Sequence, residues 1–261
     1  MKQTTVIKYG GNAMINAELK AAVIEDVIHW SNEGARTVLV HGGGPEIDAM
    51  LKKLGKTSHF VNGLRYTDPE TMEIVQMVLC GKLNKEITAL IQTRGGKALG
   101  LCGIDGGLLR ARRITTADLG LVGEITHVDA GLLDRILDSG LIPVVCSVAL
   151  GIDADAGLSL NVNADTAAAQ IAVAMKAQSL ILMTDVPGLL RDVSNPDSLI
   201  REVSRSELAR LKQDGIVSKG MIPKTDCCAM ALDGGVAETH IIDGRLLHAL
   251  RLVREIGTTI K

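Results

Sequence analysis

Short apolar runs alternate with longer segments of helical period along the whole chain, and this alternation constrains the fold more than any single residue. The runs at 4–8, 36–41, 97–102, 141–148, 179–184 and 238–242 are apolar with little internal alternation, as expected of strands covered on both faces. Segments at 13–33, 45–54, 69–92, 129–138, 164–175, 204–212, 222–233 and 246–254 carry helical spacing. Strand followed by helix, repeated, predicts an α/β protein: a three-layer αβα sandwich around a mainly parallel central sheet. Two departures are expected. A hairpin over 58–66 turns on Asn62-Gly63 and covers a sheet edge, and a second strand pair lies between Leu108 and His127, punctuated by Gly120 and Gly123.

Composition excludes several function classes. Hydrophobic residues make up 46% of the 261 residues, enough for a substantial core, but aromatics only 2%. So few aromatics leave no stacking platform for bases, and a net charge of −2 leaves no basic footprint for DNA or RNA. No apolar stretch reaches the roughly 20 residues of a membrane span. The N-terminus lacks the apolar core of a signal peptide. The five cysteines, without C-x-x-C spacing, read as reduced and mostly buried thiols; adjacent Cys227 and Cys228 fit packing on one helix. A cytoplasmic protein is the expectation.

Chemistry concentrates where apolar runs meet glycine. Thr4-Thr5-Val6-Ile7 delivers Lys8 onto Gly10-Gly11, and Arg36-Thr37-Val38-Leu39-Val40 runs into His41-Gly42-Gly43-Gly44-Pro45. Glycines at a strand end let backbone N–H groups approach an anion, and the following helix start adds partial positive charge. Neither loop matches a named phosphate fingerprint, and either could be a plain βα turn. Arg65, on the return of the Asn62-Gly63 hairpin, offers a fork for a carboxylate, though surface arginines are common. Asn161, Asn163 and Asp165 stand at a helix start, where such residues are ordinary caps. His41 reads as a strand-end residue. Lys224 enters a helix after Gly220, and Asp185-Val186-Pro187-Gly188-Leu189-Leu190 forms a strand-end loop suited to a nucleotide edge. No H-E-x-x-H, cysteine–histidine cluster, calcium loop or G-x-S-x-G elbow is present.

Taken together, Lys8-Tyr9-Gly10-Gly11-Asn12-Ala13-Met14, His41-Gly42-Gly43-Gly44-Pro45, Asn62-Gly63-Leu64-Arg65-Tyr66-Thr67, Asn161-Val162-Asn163-Ala164-Asp165, Leu182 to Gly188 and Gly220-Met221-Ile222-Pro223-Lys224 resemble the amino-acid kinase family, in the family's order and across essentially the whole chain. The resemblance implies transfer of the γ-phosphoryl group of ATP to a side-chain carboxylate, that of N-acetyl-L-glutamate, in arginine biosynthesis; the Asn-Gly-Leu-Arg hairpin favours this acid. It implies Lys8 and Lys224 as catalytic cations on the acceptor and ATP sides, with Asp165 holding them in register. It assigns Gly10 and Gly11 to phosphate, and Gly43, Gly44, Arg65 and Asn161 to the acceptor. Asp185, Val186, Pro187, Gly188, Leu189, Leu190, Ile216, Val217 and Ser218 would line the ATP pocket. Mg²⁺ is expected on the nucleotide rather than on the protein. Residues 1–163 would form an acceptor-binding and dimerising lobe, and 164–261 an ATP-binding lobe. With only seven residues before Lys8, an arginine-insensitive homodimer joined through 69–92 is expected. A related carboxylate kinase acting on an aminoadipate derivative, or a non-catalytic nucleotide sensor, are the alternatives.

Overall fold

The structure, a computed structural model, describes residues 3–217 and 220–261. Strand β1 (Thr4–Tyr9) leads through a 3-10 turn at Gly11–Met14 into helix α1 (Ala17–Asn32), whose first turn is capped by Asn16. Strand β2 (Arg36–His41) feeds α2 (Gly44–Lys53), with Pro45 in its first turn, where a missing N–H costs nothing. A hairpin of β3 (Phe60–Val61) and β4 (Leu64–Arg65) follows, and the predicted Asn62-Gly63 turn has both residues at positive φ, 51° and 80°. The 69–92 segment is helical throughout but changes register: α3 (Pro69–Gln76), a π-helical stretch Met77–Leu83, then α4 (Asn84–Thr93). Next come β5 (Ala98–Cys102), the paired β6 (Leu109–Arg113) and β7 (Gly123–Val128), α5 (Ala130–Asp138), β8 (Ile142–Cys146), β9 (Val148–Gly151) and β10 (Ser159–Asn161). The chain ends with α6 (Ala164–Ala174), β11 (Ser179–Thr184), β12 (Glu202–Val203), α7 (Arg205–Gln213), α8 (Met221–Asp233), β13 (Glu238–Asp243) and β14 (Thr258–Ile260).

The chain forms two compact units, one from the segment up to Val38 with Ala168–Lys261, the other from Leu39–Ala167. Residues 3–38 therefore pack with the C-terminal segment, whereas the sequence groups residues 1–163 as one lobe. The cause is parallel pairing of β1 with β11, from Thr5 opposite Ser179 to Lys8 opposite Leu182. In the same unit β11 pairs in parallel with β13, β13 antiparallel with β14, and β14 parallel with β12. All six residues of β11 and of β13 are buried.

In the unit Leu39–Ala167, β8 pairs in parallel with both β2 and β5. A separate four-stranded sheet runs in the order β10-β9-β6-β7, which realises the expected strand pair and extends it. The predicted 141–148 strand is broken at Ser147 into β8 and β9, which belong to different sheets. The predicted 246–254 helix does not form. His248 sits at φ 53°, which a right-handed helix excludes. Its Nδ1 and the Nε of Arg251 both donate to Oδ1 of Asp26, a fully buried carboxylate on α1, at 2.7 and 2.6 Å.

Candidate active site

In the first unit, the carboxyl ends of three parallel strands open on one cavity. Ligands bind at such strand ends because loops and helix starts present polar groups there. The register sets Lys8 beside Leu182 and Thr184 beside Asp243, so the residues that follow each strand converge. The cavity measures about 800 Å³ and is lined by Lys8, Gly11, Asp185 to Leu190, Ile216, Val217, Lys224 and Arg245 among others. Its lining combines apolar Val186, Leu189, Ile216 and Val217 with cationic Lys8, Lys224 and Arg245, a mixture suited to a ligand with an apolar and an anionic part.

The turn after β1 is shaped by its neighbours. Tyr9 is fully buried and its hydroxyl donates to the carbonyl of Ala13 at 2.6 Å, closing the 3-10 turn. The Lys8 ammonium lies back over Gly10: a Cβ there would stand 2.5 Å from Nζ. Gly11 has φ +69°, and a Cβ on it would fall on the Asp185 carboxylate, 2.7 Å from Oδ2. Glycine is required at residue 11 by its backbone conformation, whereas at residue 10 it leaves room for the Lys8 ammonium, which a larger residue would displace. After β11, the Thr184 hydroxyl donates to the carbonyls of Val186 and Ile242 at 3.1 and 3.3 Å. The Leu189 N–H donates to Thr258 Oγ1 at 2.8 Å. These bonds fix the Asp185–Leu190 loop against the strands behind it.

Lys8, Lys224, Gly11, Asp185 to Leu190, Ile216 and Val217, all singled out in the sequence, thus line one cavity. Ser218 lies outside the described residues. Arg245 was missed. It follows β13 through Asp243-Gly244, a third strand-to-glycine turn that the sequence displays as plainly as the first two. Its guanidinium makes two bonds to Asp243, at 2.8 and 2.7 Å. That hydrogen bonding, with the charges of Asp243 and Asp185 nearby, holds its pKa above the usual value.

The other unit carries the remaining candidates. β2 ends at His41 and passes through Gly42 and Gly43 into α2. A Cβ on Gly43 would collide with Leu79 and Leu83 of the π-helical stretch, and one on Gly42 would stand 3.2 Å from Ala164 Cβ. Only glycine fits at residue 43. Arg65 is 8% exposed, and its Nη2 donates to the Gly44 carbonyl at 3.3 Å. Nη1 donates to Asp48 Oδ1 at 2.6 Å and also to Ser58 Oγ, while the guanidinium carbon stands 4.8 Å from the Phe60 ring centroid. Asp48 and Ser58 are partners the sequence did not reveal, since α2 and the segment before the hairpin meet only in the fold. Asn161 Nδ2 donates to Thr67 Oγ1 at 3.0 Å, and that hydroxyl donates to the Arg65 carbonyl at 2.8 Å. Arg65 and Asn161 are thereby joined through Thr67. Asn163 accepts from the N–H groups of Asp165 and Thr166 at 2.9 and 3.1 Å, the capping role open to it from sequence. Asp165, in the first turn of α6, is buried.

Residues 3–243 match the amino acid kinase family. The chain belongs to that family. Among curated family members, it is 52% identical to the acetylglutamate kinase of Heliobacterium modesticaldum, over an alignment covering 99% of this chain and 92% of that protein. It is 51% identical to that of Clostridium kluyveri (95% and 87% covered) and 49% to that of Moorella thermoacetica (96% and 87%). Among solved structures of the same fold, smu.665 from Streptococcus mutans superposes with a TM-score of 0.84 at 27% identity, covering 100% of this chain and 99% of that one. The N-acetylglutamate synthase of Neisseria gonorrhoeae, complexed with coenzyme A and N-acetyl-glutamate, also gives 0.84, at 26% identity over 99% of this chain and 59% of that chain. A carbamate kinase from Giardia shares the amino acid kinase fold at 15% identity and a TM-score of 0.70. Among the described residues, no helix is long and apolar enough to cross a membrane.

Proposed function

We propose that this chain phosphorylates the side-chain carboxylate of N-acetyl-L-glutamate with ATP, giving N-acetyl-L-glutamyl 5-phosphate for arginine biosynthesis. The reading is carried by identity near 50% to acetylglutamate kinases along nearly the whole chain, together with two lysines lining one cavity.

The chemistry needs charge management more than proton transfer. A side-chain carboxylate has a pKa near ~4.3, so the nucleophile is ionised at neutral pH and no general base is required. Bringing it to a phosphate is the difficulty: two unit charges about 4 Å apart repel by roughly 4 kcal/mol at an effective dielectric of 20. Positioning and neutralisation then supply most of the catalysis. Lys8 and Lys224 are the cations for the phosphoryl group, the first toward the acceptor and the second toward the leaving ADP. Asp165 is assigned the role of keeping them in register. Gly10 and Gly11 offer N–H groups to phosphate. Asp185 to Leu190, Ile216 and Val217 receive the nucleotide, and Ser218 completes that set. Gly43 and Gly44 face the acceptor anion, Arg65 its α-carboxylate, and Asn161 its amide.

Mg²⁺ accompanies the ATP. Its charge is met mainly by the phosphates and water, and Asp185 is the carboxylate that lines the cavity beside them. When bound it neutralises phosphate charge. The enzyme is proposed to be a cytoplasmic homodimer; exposed Met77 in the 69–92 segment supports an apolar contact there. The deciding experiment is ADP release with N-acetyl-L-glutamate against unacetylated glutamate and an acetylated aminoadipate, with and without Mg²⁺. Turnover confined to N-acetyl-L-glutamate and dependent on Mg²⁺ is expected; nucleotide binding without turnover of any of them refutes the reading.

A further inference from the structure

His41 closes β2 directly before the glycines assigned to the acceptor, and it is fully buried. Its Nδ1 stands 2.9 Å from the Gly42 carbonyl oxygen, and its Nε2 stands 3.2 Å from Asn84 Nδ2. Asn84, 1% exposed, begins α4 at the end of the π-helical stretch. The orientation of its amide is fixed independently of the histidine. Nδ2 also faces the carbonyl oxygens of Leu101 and Val144 at 3.1 and 2.9 Å, while Oδ1 faces Lys85 Nζ at 3.0 Å. Carbonyls only accept and ammonium only donates, so Nδ2, which cannot accept, shares its two N–H bonds among Leu101, Val144 and His41. Nε2 must therefore accept and Nδ1–H must donate to Gly42: one neutral tautomer satisfies both contacts. Burial, the largest cause, pushes the His41 pKa down to about 4, which keeps that tautomer at neutral pH.

The consequence lies in the next peptide. In a trans peptide the carbonyl of Gly42 and the N–H of Gly43 point in opposite directions. A carbonyl pinned toward His41 turns the Gly43 N–H to the other face, while Leu79 and Leu83 stand where a Cβ on Gly43 would go.

We infer that His41, set by Asn84, is a positioning residue that orients the Gly42–Gly43 peptide so that the Gly43 N–H meets the anionic oxygens of the acceptor. This rests on the acceptor assignment of Gly43 and Gly44 made above. Asn can reproduce the Nδ1–H donor of histidine, whereas Gln places its amide at the position of Nε2, so the two substitutions separate the clamp from mere bulk.

The test measures kcat and both KM values for wild type, His41→Asn, His41→Gln and Asn84→Asp, with ATP and N-acetyl-L-glutamate, together with ¹⁵N shifts of the histidine ring. His41→Asn is expected to keep the acceptor KM within about threefold. His41→Gln should raise it on the order of tenfold, with the ATP KM within about twofold, the scale of one misplaced hydrogen bond to a charged group. The wild-type ring should show a protonated Nδ1 and a bare Nε2 at pH 7, and Asn84→Asp should give a ring protonated on both nitrogens. An unchanged acceptor KM in His41→Gln, or equal rises in both KM values, overturns the clamp. If His41→Gln does not fold, the ring decides: the reverse tautomer overturns the inference. Absence of wild-type turnover with N-acetyl-L-glutamate instead overturns the proposed function, and the ¹⁵N spectrum still reads the clamp separately.

Discussion

Arg65 donates from Nη1 to Oδ1 of Asp48 at 2.6 Å, so the guanidinium assigned to a substrate carboxylate already carries a carboxylate of its own. Five N–H groups are available, and the bonds to Asp48, Ser58 and Gly44 orient the fork without exhausting it. Arg65→Ala is therefore expected to raise the KM for N-acetyl-L-glutamate by one to two orders of magnitude, roughly the strength of a hydrogen bond to a charged group. The kcat should fall less, because the α-carboxylate keeps its charge through the reaction. Asp48→Asn, which retains an acceptor oxygen, should raise the same KM several-fold only. Initial-rate kinetics check both, and a collapsed kcat at unchanged KM would contradict the assignment.

Lys8 and Lys224 line the same cavity, yet they are proposed to neutralise different charges. Either lysine changed to alanine should cost on the order of 10²–10³ in kcat, the scale of losing one preorganised donor. Nucleotide affinity, measured by calorimetry, should drop more in Lys224→Ala than in Lys8→Ala. Near-normal turnover in either variant would remove that lysine from the mechanism.

How much of this was legible in the sequence depended on distance along the chain. Lys8 with Gly11, and Asp185 with Leu190, are neighbours in sequence, so local pattern reached them. Their gathering into one cavity follows from parallel strands, which apolar runs announce. Asp48 with Arg65 and Asp26 with His248 are long-range pairs, and nothing local marks them. The 246–254 helix that periodicity favours is broken where His248 takes a positive φ beside that pair, a backbone turn that no local pattern marks. β14 was missed for a related reason. Thr258, Thr259 and Ile260 are too few to show a period, and β13 supplies their pairing, with Thr239 opposite Ile260. The π-helical register at Met77–Leu83 has no sequence sign in the 69–92 run, which reads as one apolar helix.

Cys80 tests a different part of the same unit. Its sulfur lies 3.4 Å from that of Cys146. Its pKa is pushed up to about 12: a hydrogen bond from Cys102 lowers it, but the hydrogen bond to Cys146, burial and the charges of Cys146 and Asp105 together outweigh that. The thiolate is the reactive form. Although Cys80 is half-buried rather than enclosed, its modification by a maleimide at pH 7 should be about a hundredfold slower than in the urea-unfolded chain. The rate should climb about tenfold per pH unit from pH 8 to 11. A fast, pH-independent reaction at Cys80, located by peptide mass mapping, would contradict the buried-thiol environment.

The His41 ring makes stability depend on pH with a definite sign. Its folded-state pKa is depressed from the ordinary 6.5 to about 4, so below pH 6.5 the unfolded chain binds a proton that the folded chain refuses. Stabilisation is fully present above pH 6.5 and is lost as the pH falls toward 4, at a limiting slope of about 1.4 kcal/mol per pH unit. Over that window the loss amounts to roughly 3 kcal/mol. His41→Asn cannot take up this proton and should show a shallower fall over the same range, other carboxylates contributing alike to both. Urea unfolding at half-unit steps from pH 7.5 to 4, at fixed ionic strength, measures the difference. Parallel curves for the two proteins would mean that folded His41 takes up its proton as readily as the unfolded chain, and the depression of its pKa by burial would fail with it.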